Sequence, residues 1–346
     1  MEIGIYTFGD LGADIESGKM ITPVQRMKNL LEEIELADQL GIDVFGVGEH
    51  HRPDYLVSSP EVVLGATAVK TKNIKLASAV TVLSSNDPVR VFLAFSTVDI
   101  LSMGRAEIIA GRGSFIESFP LFGYDLADYD RLFSEKLDLL INLDKQEKIS
   151  WKGTLTQSIN NLGIYPRPFQ ENIPIWVAVG GTPESVERAA VKGLPMALAI
   201  IGGNPANFAP LANYYKQKFI ESGNNMATFG LGINSHVFIS DTSKKASDDF
   251  YPSYAAVMSR IGKERGWAPM NRSQFDISTG PKGALLVGSP QQVIDKILYE
   301  YELFGNTRFM AQMSIGAMPH EKVLHSIELF GNVVAPAIRK YTGVQR

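Results

Sequence analysis

Gly48-Glu49-His50-His51 sets three ionisable side chains in a row where a buried strand should emerge. Residues 43–47 form a short apolar run after a helical stretch ending at Gly41, and they read as a parallel strand covered on both faces. In folds that alternate strands with helices, ligands and chemistry gather at the carboxyl ends of the strands. The chain has five histidines and places two of them side by side there. Neighbouring side chains on an extended strand point to opposite faces, so the two rings are poorly placed to chelate one metal. One ring should face inward while the other packs outward or holds a loop. Histidine titrates nearest neutral pH, which suits a general acid or base; a pair of hydrogen-bonded structural histidines fits the same position.

A second constellation joins Gly111-Arg112-Gly113 to Gly180-Gly181-Thr182-Pro183-Glu184-Ser185. Each follows a predicted strand, and the two strands are neighbours. Gly180 and Gly181 would let an anion approach the backbone at a helix amino terminus, where free N–H groups and partial positive charge collect. Thr182 and Ser185 add hydroxyls, and Arg112 adds a fork of N–H donors. Taken singly, Thr182 is a helix cap and Arg112 a rim ion pair; taken together they predict a phosphate site. Third, Leu76-Ala77-Ser78-Ala79-Val80-Thr81 is a strand with small residues in its middle. Such a strand gives room for a flat ring against the backbone, or for small-against-large packing inside a barrel. No dinucleotide fingerprint is present, since Gly46-Val47-Gly48 and Gly230-Leu231-Gly232 lack the third glycine and open no helix. Beyond the histidine pair, no Asp, Glu or His cluster has metal-ligand spacing.

The elements that position these residues alternate along the chain. Short β-branched runs near 2–6, 43–48, 74–82, 105–110, 173–179, 196–201, 231–239 and 308–314 read as strands. Between them lie helical patterns at 24–40, 61–69, 89–101, 131–143, 184–192, 208–221, 244–265 and 291–304, with 320–339 closing the chain. This alternation predicts a (β/α)8 TIM barrel, an α/β fold, as a single domain over 1–346. Asp87, Thr182 and Ser289 each precede a proline and read as helix caps. Three stretches exceed ordinary connections: 111–130, 146–172 and 240–288. The first and third follow strands 4 and 7, so these long loops should wall or cover the site; the second should lie on the barrel's side or bottom.

Composition narrows the setting. The 346 residues are 45% hydrophobic, with no cysteine and a formal net charge of -4. Absence of cysteine removes disulfides, thiolate nucleophiles and Cys-ligated metals. An acidic balance without basic blocks argues against nucleic acid or an anionic membrane surface as partner. Met1-Glu2-Ile3-Gly4-Ile5-Tyr6 is no signal peptide, and no apolar run reaches the roughly 20 residues of a membrane span. The expectation is a cytoplasmic protein.

An ordered set of motifs then points to a family. Glu49-His50-His51, Ala79-Val80-Thr81-Val82-Leu83 with Pro88-Val89-Arg90, Leu101-Ser102-Met103-Gly104-Arg105, Gly111-Arg112-Gly113 and Tyr165-Pro166-Arg167-Pro168 resemble the bacterial luciferase-like family of flavin-dependent monooxygenases. The likeness continues through Ala189-Ala190, Gly193-Leu194-Pro195, Gly288-Ser289-Pro290, Ser326-Ile327-Glu328-Leu329-Phe330 and Val334-Ala335-Pro336, covering essentially the whole chain. The resemblance implies a barrel binding FMN at its strand ends, with Arg112, Thr182 and Ser185 and the backbone of Gly180 and Gly181 at the phosphate. It implies a non-prolyl cis peptide at Ala79-Val80 beneath the flavin ring, and His50 as the catalytic base. Gly111 matches a reactive cysteine of the best-known luciferases, which implies more room beside the ring.

The same resemblance implies reduced FMN delivered by a separate flavin reductase, oxygen as co-substrate, a small organic substrate and no metal. A branch of the family uses a reduced deazaflavin for hydride transfer, and a flavin-binding protein without turnover is a further alternative. Family members dimerise through the helices after the second and third strands. Here 61–69 and 89–101 are apolar over much of their circumference, as the interface of a homodimer requires.

Overall fold

The structure, a computed structural model, describes residues 1–343. Eight parallel strands form the expected barrel: β1 (Glu2–Thr7), β2 (Val44–Val47), β3 (Lys75–Ser78), β4 (Ala106–Gly111), β5 (Ile175–Val179), β6 (Met196–Ile200), β7 (Leu231–Ile239) and β8 (Arg308–Gln312). Each strand pairs with the next, and β8 pairs with β1 to close the ring. Closure leaves no edge exposed and puts every strand between two apolar layers, which is why these runs are apolar throughout rather than alternating.

Two cores follow from that arrangement. The larger lies between barrel and helices and includes Ile3, Ile5, Phe45, Val47, Ile108, Val177 and Ile233. The smaller fills the barrel itself: Tyr6, Val44, Ala77, Ala79, Ile109, Trp176, Ala197 and Met310. Since side chains alternate along a strand, the second set fixes which parity faces the axis.

Helix starts follow the capping rule in two of the three expected places. Asp87 accepts from the Arg90 N–H at 3.0 Å and Ser289 from that of Gln292 at 3.5 Å. Thr182 does not cap: its hydroxyl pairs with the Ser185 hydroxyl at 2.8 Å, and the first turn of Pro183–Val191 has no side-chain cap.

Four other readings change. The 74–82 run is not one strand, because the chain breaks at Ala79-Val80 before Thr81–Val82 bonds to β4. The 146–172 stretch holds an antiparallel hairpin, Lys148–Trp151 with Ile159–Gly163, whose turn is held by Glu135 accepting three backbone N–H groups at 2.8–2.9 Å. The closing 320–339 run divides into His320–Leu329 and Ala335–Tyr341 around a π-helical turn, Phe330–Val334. Pro336 supplies no N–H to the ladder there, which favours a wider turn. The loop after β7 is richer than its pattern: besides Ser243–Arg265 it carries helix Arg272–Thr279 and strand Leu286–Gly288, which extends the sheet beside the end of β7.

Candidate active site

Continuing the axis-facing parity of β2 beyond the strand (Val44, Gly46, Gly48) brings His50 inward and sends Glu49 and His51 outward. His50 meets three aromatic rings: Tyr55 at 4.4 Å between centroids, Phe8 at 4.7 Å and Phe115 at 5.1 Å. These come from the loops after β1, β2 and β4. The His50 Nε2 is buried without a hydrogen-bond partner. Burial pushes its conjugate acid down to about 4, with Arg52 and His51 adding to the effect and Asp54 opposing it. At neutral pH this ring is therefore an uncharged imidazole with a nitrogen available to take or hold a proton.

His51 does different work. Its Nε2 lies 2.8 Å from Glu49 Oε1, and Glu49 is 3% exposed. The same carboxylate accepts the Val82 N–H at 2.8 Å and the Asn86 amide at 3.0 Å. The Glu49–His51 pair thus ties the end of β2 to the segment after β3. Ala79-Val80, within that segment, is a non-prolyl cis peptide. The Ala79 N–H donates to Val47 O at 2.8 Å and Val80 O accepts from the Glu49 N–H at 3.2 Å, so β2 holds both sides of the bond.

Gly111 touches this bend directly. A Cβ at Gly111 would fall 2.7 Å from Val80 Cγ2, so the branched Val80 side chain packs directly on the Gly111 backbone and leaves no place for a side chain there. The expected extra room is absent: Val80 occupies the space that the missing cysteine would have left. Beyond Gly111 the mouth is lined with small residues at axis-facing positions, the half-buried Ala178 and Ala199 and the exposed Gly180. A Cβ at Gly180 would meet nothing within 4 Å. One half of the mouth is thus a shallow open bed, and the other half carries Phe8, His50, Gln312 and His236. A planar ring suits such a bed, and a side chain of ordinary size on it would not.

The residues that the sequence suggests for a phosphate gather at one edge of the bed. Thr182 and Ser185 face each other at the uncapped helix start, with Ser185 only 2% exposed. Gly181 has φ +123°, a conformation that glycine alone adopts easily. Arg112 reaches from the end of β4, lies over the Tyr129 ring at 5.2 Å and pairs with Asp130 at 2.6 Å. Uncapped N–H groups, two hydroxyls and a guanidinium at an open glycine turn fit the phosphate of a mononucleotide.

Several residues at this mouth were not anticipated from the sequence. Phe8, Tyr55 and Phe115 sit on loops whose approach to His50 no spacing reveals. Asn234 and His236 were visible in principle, as polar residues at alternate positions of an apolar strand. Both face the axis, His236 in the same layer as Gln312 and Tyr6. Burial lowers the His236 pKa to about 4, and its Nδ1 has no partner. No group of three His, Cys, Asp or Glu among the described residues is arranged to hold a metal. A groove of about 430 Å³ lies elsewhere, lined by Lys28, Glu32, Glu35 and Lys70, of which Lys70 and Glu35 pair with each other; it includes none of the residues at the strand ends.

Comparison with known proteins agrees with this geometry. Residues 1–308 match the family described as luciferase-like monooxygenase, and the chain belongs to that family of enzymes. It is 26% identical to limonene 1,2-monooxygenase of Rhodococcus erythropolis, over 88% of this chain and 80% of that one. It is 23% identical to the oxygenase component of a flavin-dependent trigonelline monooxygenase of Acinetobacter baylyi, over 91% of each. The fold matches a monooxygenase of Streptomyces bottropensis (TM-score 0.84, 22% identity, 97% of this chain and 99% of that one). It also matches the oxygenating constituent of 3,6-diketocamphane monooxygenase of Pseudomonas putida, solved with FMN (TM-score 0.78, 20% identity, 98% of each). An F420-dependent secondary alcohol dehydrogenase shares the fold too, at TM-score 0.74 and 16% identity over 98% of this chain and 99% of that one.

Proposed function

We propose that the chain is the oxygenase of a two-component system, using reduced FMN and oxygen to oxidise a small organic substrate. The observation that carries the reading is the neutral, partner-free His50 imidazole at the mouth that also holds the open bed and the phosphate edge. Bound reduced FMN would supply the electrons that allow oxygen to react with the substrate. Ala79, Val80 and Gly111 would seat its ring, while Arg112, Thr182, Ser185 and the backbone of Gly180 and Gly181 would hold its phosphate. Phe8, Tyr55 and Phe115 would keep water from the reacting face, as catalysis with reactive intermediates requires. His50 would accept or return a proton at Nε2.

The electron donor in this reading is a separate flavin reductase, in keeping with the relative named as an oxygenase component. The chain lacks a dinucleotide turn of its own. Helices Pro60–Ala68 and Pro88–Ser102 leave Val62, Val69, Leu101 and Met103 exposed, which suits a homodimer that sedimentation would detect. The proposed setting is the cytoplasm; no helix among the described residues is long and apolar enough to cross a membrane.

The test is oxygen uptake. With FMN and NADH alone the protein should consume almost no NADH. Adding an unrelated flavin reductase should bring uptake that depends on both proteins, raised further by the right substrate among aldehydes, alkanes, ketones and sulfonates. Rapid FMN reduction by NADH without any reductase would overturn the two-component reading. The F420-dependent relatives supply the second reading, hydride transfer with a reduced deazaflavin. Selective binding of the deazaflavin over FMN in a titration would favour it.

A further inference from the structure

Arg112 is not the only cation at the phosphate edge. Arg188, one turn beyond Ser185 on helix Pro183–Val191, extends one guanidinium nitrogen to 3.9 Å from the same Asp130 carboxylate that Arg112 holds at 2.6 Å. Both guanidiniums rest on rings of helix Tyr129–Lys145, Arg112 over Tyr129 and Arg188 over Phe133 at 5.4 Å. Those rings are four residues apart, one turn along the same face of the helix.

The charges here do not balance. Two guanidiniums converge on one carboxylate that is 65% exposed, so its hold is that of a weak surface ion pair. Arg188 itself is only 15% exposed, and its Nη1 is buried with no hydrogen-bond partner. Burial first, and the nearby Arg112 second, hold Arg188 below its ordinary pKa, while Asp130, Asp138 and Glu184 oppose them. Of these, Asp138 is already paired with Lys192, and Glu184 acts from a distance, since the ion pairs of both guanidiniums are with Asp130. A guanidinium does not give up its proton in proteins, so a further anion would relieve the mismatch. Asp130 supplies one charge, whereas a phosphate monoester carries about -1.5 to -2 at neutral pH and several acceptor oxygens.

We infer that Arg188 is a second cation of the phosphate subsite, and that Asp130 is its stand-in anion, displaced when a phosphate monoester arrives. The inference rests on the FMN reading and sharpens it. Two guanidiniums, two hydroxyls and open backbone N–H groups match a doubly charged terminal phosphate. A phosphate carrying a second substituent, with only one charge of its own and a bulky arm beyond it, is a poorer exchange for Asp130, and this holds for a diester and for each phosphate of a pyrophosphate. The subsite therefore selects FMN over FAD and over a deazaflavin whose phosphate is a diester.

The test is binding, read by fluorescence titration of FMN, riboflavin and FAD, with inorganic phosphate followed by the melting temperature. Arg112→Ala and Arg188→Gln should each weaken FMN by about tenfold to a hundredfold and leave riboflavin unchanged, as losing a charge-assisted contact implies. Arg188→Lys should recover part of the loss, which separates the charge from the packing on Phe133. Asp130→Asn should tighten FMN severalfold with riboflavin unaffected, because the competing anion is gone. Inorganic phosphate should raise the melting temperature of the wild type, and less so that of Arg188→Gln. FMN affinity unchanged in a folded Arg188→Gln, or weakened by Asp130→Asn as it is by Arg112→Ala, would overturn the inference; the second result would make Asp130 a support for Arg112. If neither flavin binds but phosphate still protects through Arg188, the flavin reading falls and the anion subsite stands. If flavins bind and phosphate protects wild type and Arg188→Gln alike, the subsite falls and the flavin reading stands.

Discussion

Turnover in His50→Gln should fall by about 10² to 10⁴ if the proposed role holds, the usual contribution of a positioned acid or base, while flavin binding and the fold persist. Glutamine is the variant of choice because three aromatic rings enclose His50, and alanine would leave a cavity among them. The depressed pKa of about 4 also fixes a pH signature. In the unfolded chain the ring titrates near its ordinary value, about 6.5, so between about 6.5 and about 4 the unfolded state binds more protons. Wild-type stability attributable to this ring is therefore complete at neutral pH and is lost as pH falls through that window, by at most about 3 kcal/mol. The stability difference between wild type and His50→Gln should shift in the variant's favour across the same window, as denaturation at stepped pH values would reveal. His51→Ala is the contrast. Removing the ring bound to buried Glu49 should cost about 1–3 kcal/mol and lower the melting temperature, with a smaller effect on turnover. A fall in turnover confined to His51→Ala, with His50→Gln fully active, would exchange the two roles.

The barrel and much of its mouth were legible in the sequence because local rules and global fold agree there. Most strands are short apolar runs, and most of the helices between them open on a cap or a proline, with Tyr129–Lys145 the long one that has neither. Position on a strand end singled out the His50-His51 pair, while the choice of His50 and the cis bond at Ala79-Val80 came from the family resemblance, since the pattern alone reads 74–82 as one strand. What stayed hidden depends on neighbours distant in sequence. The aromatic box around His50 draws on three loops, and nothing in the spacing of Phe8, Tyr55 and Phe115 announces that they meet. Thr182 looked like a cap because Ser/Thr before proline usually is one; its hydroxyl instead takes Ser185, which leaves the helix start open. Arg188 lay unnoticed inside a helical pattern, since its role depends on Arg112 and Asp130, both remote along the chain. Gly111 was read as added space, whereas its closeness to Val80 emerges only when β4 is laid beside the segment after β3.

The opposite end of the barrel carries the largest expected loss of stability. Arg308, 2% exposed, gives Glu107 a bidentate pair at 2.6 and 3.1 Å and reaches Glu2 at 2.6 Å. Lys75 completes the set, 2.6 Å from Glu2 and 3.2 Å from Glu107, and the Arg308 guanidinium lies 4.1 Å from the centre of the Trp176 ring. These residues stand at the first or second position of β1, β3, β4 and β8, where a sequence reading treats charge as the exposed entry to a strand. Inside a closed barrel they instead meet across the axis, two cations against two anions, as the floor beneath the smaller core. A buried pair of this kind contributes little beyond well-packed apolar side chains, yet breaking it strands a charge and costs about 3–5 kcal/mol. Arg308→Met should therefore lower the urea midpoint strongly, because buried Glu107 is left to share Lys75 with Glu2. Glu107→Leu should be milder, since Arg308 retains Glu2. The double variant Arg308→Met/Glu107→Leu leaves Lys75 and Glu2 as a balanced, more exposed pair and should recover most of the loss. Additive losses in the double variant would mean that the two side chains do not act as a pair, and the floor would then be held by packing on Trp176 instead.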